Sequence, residues 1–130
     1  MTLSDIDFPA PGEGDDCRMV REILDLVADK WSLYVIATLK DGPVRFNELR
    51  RQIDGISQRM LTITLRGLER EGLVKRTLFP TIPPRVDYEL TDMGRTLFVP
   101  VMALVNWANT NQGNIRRARV RYDESQDAPA

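Results

Sequence analysis

The side chains best equipped to act on another molecule lie in the middle of the chain. Ser57, Gln58, Arg59, Thr62 and Arg66 sit close together, with Arg45, Arg50 and Arg51 before them and Arg85 after them. Short polar groups and guanidinium forks at helical spacing suit hydrogen bonding to base edges and charge pairing with phosphates. Covalent chemistry has far less to work with. The sequence has no His and a single Cys. That removes Ser-His and Cys-His nucleophile pairs, the usual tetrahedral zinc sites and any disulfide within one chain. Cys17 alone is left. Thiolate is the reactive form of a cysteine; Arg18 and Arg21 favour it here, while Asp15 and Asp16 oppose it, so the balance stays open.

These residues need elements to position them. Val20, Ile23, Leu24 and Val27 recur at i, i+3, i+4 and i+7, the stripe of an amphipathic helix that begins near Cys17. Lys30 to Lys40 has almost no polar face, which predicts a central, buried second helix ended by Asp41-Gly42-Pro43. Phe46, Leu49 and Ile53 mark a short third helix, and Asp54-Gly55-Ile56 is a tight turn. Ser57 then caps a fourth helix that runs to Glu71, with Leu61, Leu65 and Leu68 facing inward. The period next changes to two. Leu73 to Phe79 and the alternating Val86, Tyr88 and Leu90 predict a hairpin with a Pro-rich tip that carries Arg85. Thr91 caps a last helix over roughly 92–110, with Leu97, Val101, Leu104 and Ala108 along one face. Trp31 and Trp107 fit packing better than ligand stacking.

The order helix, turn with Gly, helix, hairpin is that of a winged helix-turn-helix. The fold class expected is therefore α+β, mostly α, and the apolar faces of the first and last helices, too wide for one small domain to cover, make those the expected dimerisation helices. The second helix of the pair would read a major groove, Arg45, Arg50 and Arg51 would contact flanking phosphates, and Arg85 would reach the minor groove. Charge along the chain agrees. Net charge is −1, yet residues 1–16 carry −5 and residues 43–76 carry +4. A local basic surface matters more to nucleic acid than the total does.

Several strings resemble the HxlR family of bacterial winged-helix transcriptional regulators, relatives of the MarR type. They are Lys30-Trp31, Gly42-Pro43, Arg45-Phe46-Asn47-Glu48-Leu49, Gly55-Ile56-Ser57 with Met60-Leu61, Leu68-Glu69, Gly72-Leu73-Val74, Pro83-Pro84-Arg85-Val86 with Tyr88, Leu90-Thr91, Gly94 and Trp107. They keep one register from Cys17 to Trp107. Arg18 follows Cys17 where the family often has Pro. The resemblance implies a homodimer built from the first and last helices, bound to double-stranded DNA at a pseudo-palindromic operator. It also implies that a Cys near this place senses oxidants or electrophiles in some members.

The 130-residue length suggests one domain. The expected division is a disordered acidic segment over 1–16, the winged domain with its dimerisation helices over 17–112, and a polar tail over 113–130. Val20, Ile23, Leu24, Val27, Leu97, Val101 and Leu104 are the expected dimer contacts. No signal peptide and no span are visible: the longest apolar run, Leu97 to Val105, contains Pro100. A cytoplasmic protein without membrane contact, cofactor, metal site or enzymatic activity follows as the expectation. Three other readings remain: a winged module that binds protein instead of DNA, a thiol enzyme using Cys17, and a regulator triggered by a small apolar ligand.

Overall fold

The computed structural model describes the backbone of residues 14–127 and the side chains from Cys17 onward. In chain order the elements are α1 (Gly14–Val27), α2 (Lys30–Thr38), a 3-10 turn (Leu39–Asp41), β1 (Val44–Arg45), α3 (Phe46–Gln52), α4 (Gln58–Arg70), β2 (Val74–Phe79), β3 (Arg85–Leu90) and α5 (Asp92–Asp127). Most of the acidic segment expected to be disordered lies outside the described residues. Its last part, Gly14 to Asp16, already belongs to α1, so Cys17 sits within the first turn and not ahead of the helix.

The core is built by the helices whose stripes the sequence displays. Val35, Ile36 and Leu39 from the α2 region meet Leu49, Ile53, Leu61, Leu65 and Leu68 from α3 and α4. Sheet residues Val74, Tyr88 and Leu90 close it, and Val101 of α5 completes it. The start of α2 is fixed by Asp29, which accepts from the backbone N–H groups of Trp31 and Ser32 at 2.9 and 3.4 Å. That satisfies donors a helix start otherwise leaves open.

The sheet has three strands in the order β1-β3-β2, all antiparallel, and not the two of a simple hairpin. Val44 and Arg45 pair with Tyr88 and Asp87. A strand of two residues has no period of its own to read, and its partner β3 decides its conformation. Across β2 and β3 the register sets Phe79 opposite Arg85 and Val74 opposite Leu90.

The end of the sheet is joined tightly to α5. Thr91 Oγ1 donates to the Gly72 carbonyl at 2.6 Å and accepts from the Gly94 N–H at 3.0 Å. Gly94 then lies against the residue that leads into β2: a Cβ there would come within 2.1 Å of the Leu73 carbonyl oxygen. The glycine is required by this approach, since its own backbone is helical.

The last helix is longer than its apolar stripe predicts. It continues through Pro100 and Gly113 to Asp127, so residues 113–127 of the expected tail are helical. Arg, Ala, Gln and Glu are good helix formers, which favours continuation past one glycine. Local contacts accompany it: Asn111 Nδ2 donates to the Trp107 carbonyl at 2.9 Å, and Arg117 donates to Asn114 Oδ1. At 1.5 Å per residue α5 is about 54 Å long.

Candidate nucleic-acid interface

Helix α4 is presented by a turn of four residues after α3. Gly55 takes φ +82°, a conformation side chains disfavour, and Ile56 donates its N–H to the Ile53 carbonyl at 3.3 Å. Ile53 and Ile56 are both buried, so the turn is pinned to the core at each end. Ser57 Oγ accepts from the Met60 N–H at 3.0 Å and caps α4 as the sequence predicts. Its lone pairs therefore serve the helix first, which leaves chiefly the hydroxyl proton for a ligand.

The buried side of α4 is Leu61, Thr64, Leu65 and Leu68. That orients the rest. Gln58, Arg59 and Arg66 are exposed, and Thr62 lies half-buried on the flank, donating Oγ1–H to the Gln58 carbonyl at 2.9 Å. The centre of the outer face also holds Ile63, 51% exposed, between Arg59 and Arg66. Sequence reading by polarity passes over Ile63, yet the spacing Arg59, Ile63, Arg66 marks it. An aliphatic side chain there is suited to a thymine methyl group.

The arginines divide by what holds them. Among the described residues, Arg45, Arg50, Arg59 and Arg66 have no carboxylate within ion-pair distance. Arg51 pairs with Glu48, which also accepts from Gln52 Nε2 at 3.0 Å. Those contacts, the Gln52 hydrogen bond foremost and the Arg51 charge next, hold the Glu48 carboxyl below the usual carboxylate range. Arg45 lies on β1 and not on the outer face of α3, one residue ahead of the helix.

Arg85 departs from its expected place. It lies at the base of the wing loop, opposite Phe79, and not at the tip. Its guanidinium stacks 4.1 Å from the Phe79 ring centroid, and Nε sits 3.3 Å from Asp87 Oδ1, an ion pair without hydrogen-bond alignment. The side chain is half-buried. Residues 80–84, the tip itself, carry no charge.

The expected dimer contacts also divide. On α1, Val20 and Leu24 are exposed together with Met19, whereas Ile23 and Val27 are half-buried. On α5, Leu104 is exposed with Val99 and Trp107. Val101 is 4% exposed and belongs to the core, and Leu97 packs on the core's edge. The apolar stripe of α5 thus serves two surfaces: its first turns face α2, and its middle stands open. Cys17 is a half-buried free thiol, one helical turn from Arg21, whose Nε is buried without a hydrogen-bond partner among the described residues.

A capped helix presented by a tight turn, followed by the β2-β3 hairpin whose sheet β1 completes, defines the winged helix-turn-helix class. Residues 26–116 match the model of the HxlR-like helix-turn-helix family, and the chain belongs to that family. It is a transcriptional regulator of HxlR type. An uncharacterised HTH-type transcriptional regulator of Methanothermobacter thermautotrophicus is 45% identical over 96 residues, 72% of this chain and 73% of that one. YtfH of Salmonella typhimurium, assigned to transcriptional regulation, superposes with a TM-score of 0.74 at 36% identity, over 77% of this chain and 89% of its own. The redox regulator HypR superposes in its reduced form with a TM-score of 0.70 at 39% identity, over 76% and 98%. Its oxidised form gives 0.67 at 42%, over 72% and 96%. The relatives named here are likewise described as transcriptional or redox regulators. The family match begins after Cys17, so it does not extend to the thiol. Among the described residues no helix is long and apolar enough to cross a membrane.

Proposed function

We propose that the chain is a homodimeric, sequence-specific DNA-binding regulator that acts in the cytoplasm on a pseudo-palindromic operator. The carrying observation is the outer face of α4, where Gln58, Thr62 and two unpaired arginines, Arg59 and Arg66, are held out by a buried leucine ridge. Gln58 and Arg66 read bases. Arg45, Arg50 and Arg51 bind phosphates, the last by exchanging Glu48 for the DNA. Ser57 places the positive end of the helix toward a phosphate, and Arg85 adds charge at the base of the wing. The test is gel retention of the DNA upstream of the chain's own gene, with wild type and Arg66→Ala compared against random-sequence competitor.

Dimerisation is supported by the apolar groups that one chain leaves in water: Met19, Val20 and Leu24 on α1, and Val99, Leu104 and Trp107 on α5. Such an area on a chain of this size fits an obligate two-fold interface. Two recognition helices would then lie about 34–36 Å apart, one DNA turn.

The likeness to HypR, known in reduced and oxidised forms, supports a redox reading of Cys17. A disulfide between protein thiols must join two chains here, because each has one Cys; otherwise the product is a mixed disulfide with a small thiol or an adduct. Two thiols would lose two electrons and two protons to an oxidant such as diamide, forming one S–S bond. An electrophile such as a quinone would instead add to a single thiolate. Either product lies on α1, where a small subunit rotation changes the spacing of the recognition helices. Operator affinity before and after diamide, in wild type and Cys17→Ser, tests this. An identical response in both proteins transfers the trigger to an apolar ligand between the dimerisation helices and the domain body.

A further inference from the structure

The stripe of α4 that points most directly away from the core is not wholly polar. At 3.6 residues per turn, Arg59, Ile63 and Arg66 fall within about 60° of one another, on the side opposite the buried Leu61, Leu65 and Leu68. Arg59 and Arg66 are exposed and have no ion pair among the described residues. Ile63 stands between them, about half of it in water.

An isoleucine in this place does nothing for the free chain. It belongs neither to the buried core nor to the apolar groups packed on the core's edge. It is also a weaker helix former than the Lys, Gln or Arg that would suit water. What it offers is a rigid aliphatic point: β-branching holds its first side-chain torsion largely in one rotamer, so little freedom is lost on contact. A second copy of the chain is a poor partner for it. Two copies meeting through this stripe would set Arg59 and Arg66 against like charges. The same two arginines favour a partner with acceptors on either side of an apolar spot.

The base edges of a major groove present nitrogen and oxygen donors and acceptors, and one apolar group, the C5-methyl of thymine. Aliphatic carbon set against any of the others leaves a polar group unpaired. We infer that Ile63 is a specificity-determining residue that reads a pyrimidine C5-methyl group in each half-site. Along the helix axis Ile63 is about 6 Å from Arg59 and about 4.5 Å from Arg66, against roughly 3.4 Å per base pair. The methyl therefore lies within two base pairs of the edge that Arg66 reads. The inference rests on the DNA-binding reading and deepens it. Because the contact is with the methyl and not with the rest of the base, 5-methylcytosine satisfies it and uracil does not. Operator affinity then responds to C5 methylation of a cytosine at that position.

The experiment uses the full chain and a duplex recovered by wild type from a random pool. Each thymine in the footprint is replaced singly by deoxyuridine, which removes the methyl and keeps every hydrogen-bonding group. Uracil at one position of each half-site should weaken wild-type binding about fourfold, the scale of uncovering one methyl group, with the salt slope unchanged. At that position 5-methylcytosine should bind tighter than cytosine by a similar factor. Ile63→Ala should bind the thymine and uracil duplexes equally, with thermal unfolding like that of wild type. Thymine and uracil duplexes bound alike by wild type at every position, or cytosine unaffected by its methyl, overturn the inference. A recovered footprint without thymine does the same. An Ile63→Ala protein that still prefers thymine gives the methyl to another side chain, such as Thr62, and also overturns it. Each of these leaves the DNA-binding reading standing. A wild type that recovers no duplex overturns both.

Discussion

Arg66 and Arg51 sit one helix apart and should fail in different ways when removed. Arg66 is unpaired and lies on the outer face of α4, so Arg66→Ala and Gln58→Ala should each cost about 1–3 kcal/mol at the operator and relax its sequence preference. Arg50→Ala and Arg51→Ala should weaken all duplexes alike and flatten the salt slope by about one. Arg85→Ala should weaken binding while leaving the major-groove preference intact, because Arg85 is braced at the base of the wing. Glu48 offers the reverse case. Glu48→Gln removes a carboxylate beside Arg51, so affinity should rise and the salt slope should steepen. The folded-state depression of the Glu48 carboxyl gives the sign of its pH effect. Its contribution is present above the ordinary carboxylate value and is lost as pH falls through the lowered one. Between pH 5 and 8 DNA affinity should carry no titration of Glu48, a point that anisotropy across that range checks. Cys17→Ser should hold one operator affinity whatever the oxidant, with no cross-linked dimer on a non-reducing gel.

At the scale of elements, the caps and close approaches decide how firmly α4 is presented. Ser57→Ala removes the acceptor for the Met60 N–H and should cost about 0.5–2 kcal/mol in chemical denaturation. Gly94→Ala is predicted to be worse, since the added methyl meets the Leu73 carbonyl oxygen at 2.1 Å and α5 must move off that backbone. Thermal unfolding of the two variants orders them. Leu65→Ala, at the centre of the buried ridge of α4, should cost about 2–5 kcal/mol. Much at this scale was legible from spacing. The α2 and α4 stripes, the Ser57 cap and the β3 alternation all stand where the sequence puts them. The two-residue β1 was not, because its partner β3 defines it, whereas the Asp29 cap is a local signal that a reading by apolar spacing passes over.

For the whole molecule the prediction is assembly. Light scattering at micromolar concentration should give a dimer, and Leu24→Glu or Trp107→Glu should shift it toward monomer while circular dichroism stays unchanged. Both positions are exposed in the single chain, so a charge there costs little folding energy. A dimer insensitive to both changes would place the interface elsewhere. Deleting residues 113–130 removes a stretch of α5 that is almost wholly exposed. The melting temperature of the remaining chain should move by only a few degrees, since little core is lost.

The amino-acid sequence by itself determined the helix-turn-helix order, the winged class and the polar side chains on the outer face of α4. Those depend on local periods, caps and turn chemistry, which are properties of adjacent residues. Tertiary packing alone decided which part of each stripe is spent inside one chain. Leu97, Val101 and Leu104 share a single helical stripe, yet Val101 fills the core and Leu104 is left in water. It likewise decided that Arg85 folds onto Phe79 and Asp87 while Ile82 takes the tip. The cause is the same in both cases: periodicity names the face of an element, but only the position of the neighbouring element fixes how far along that face burial extends.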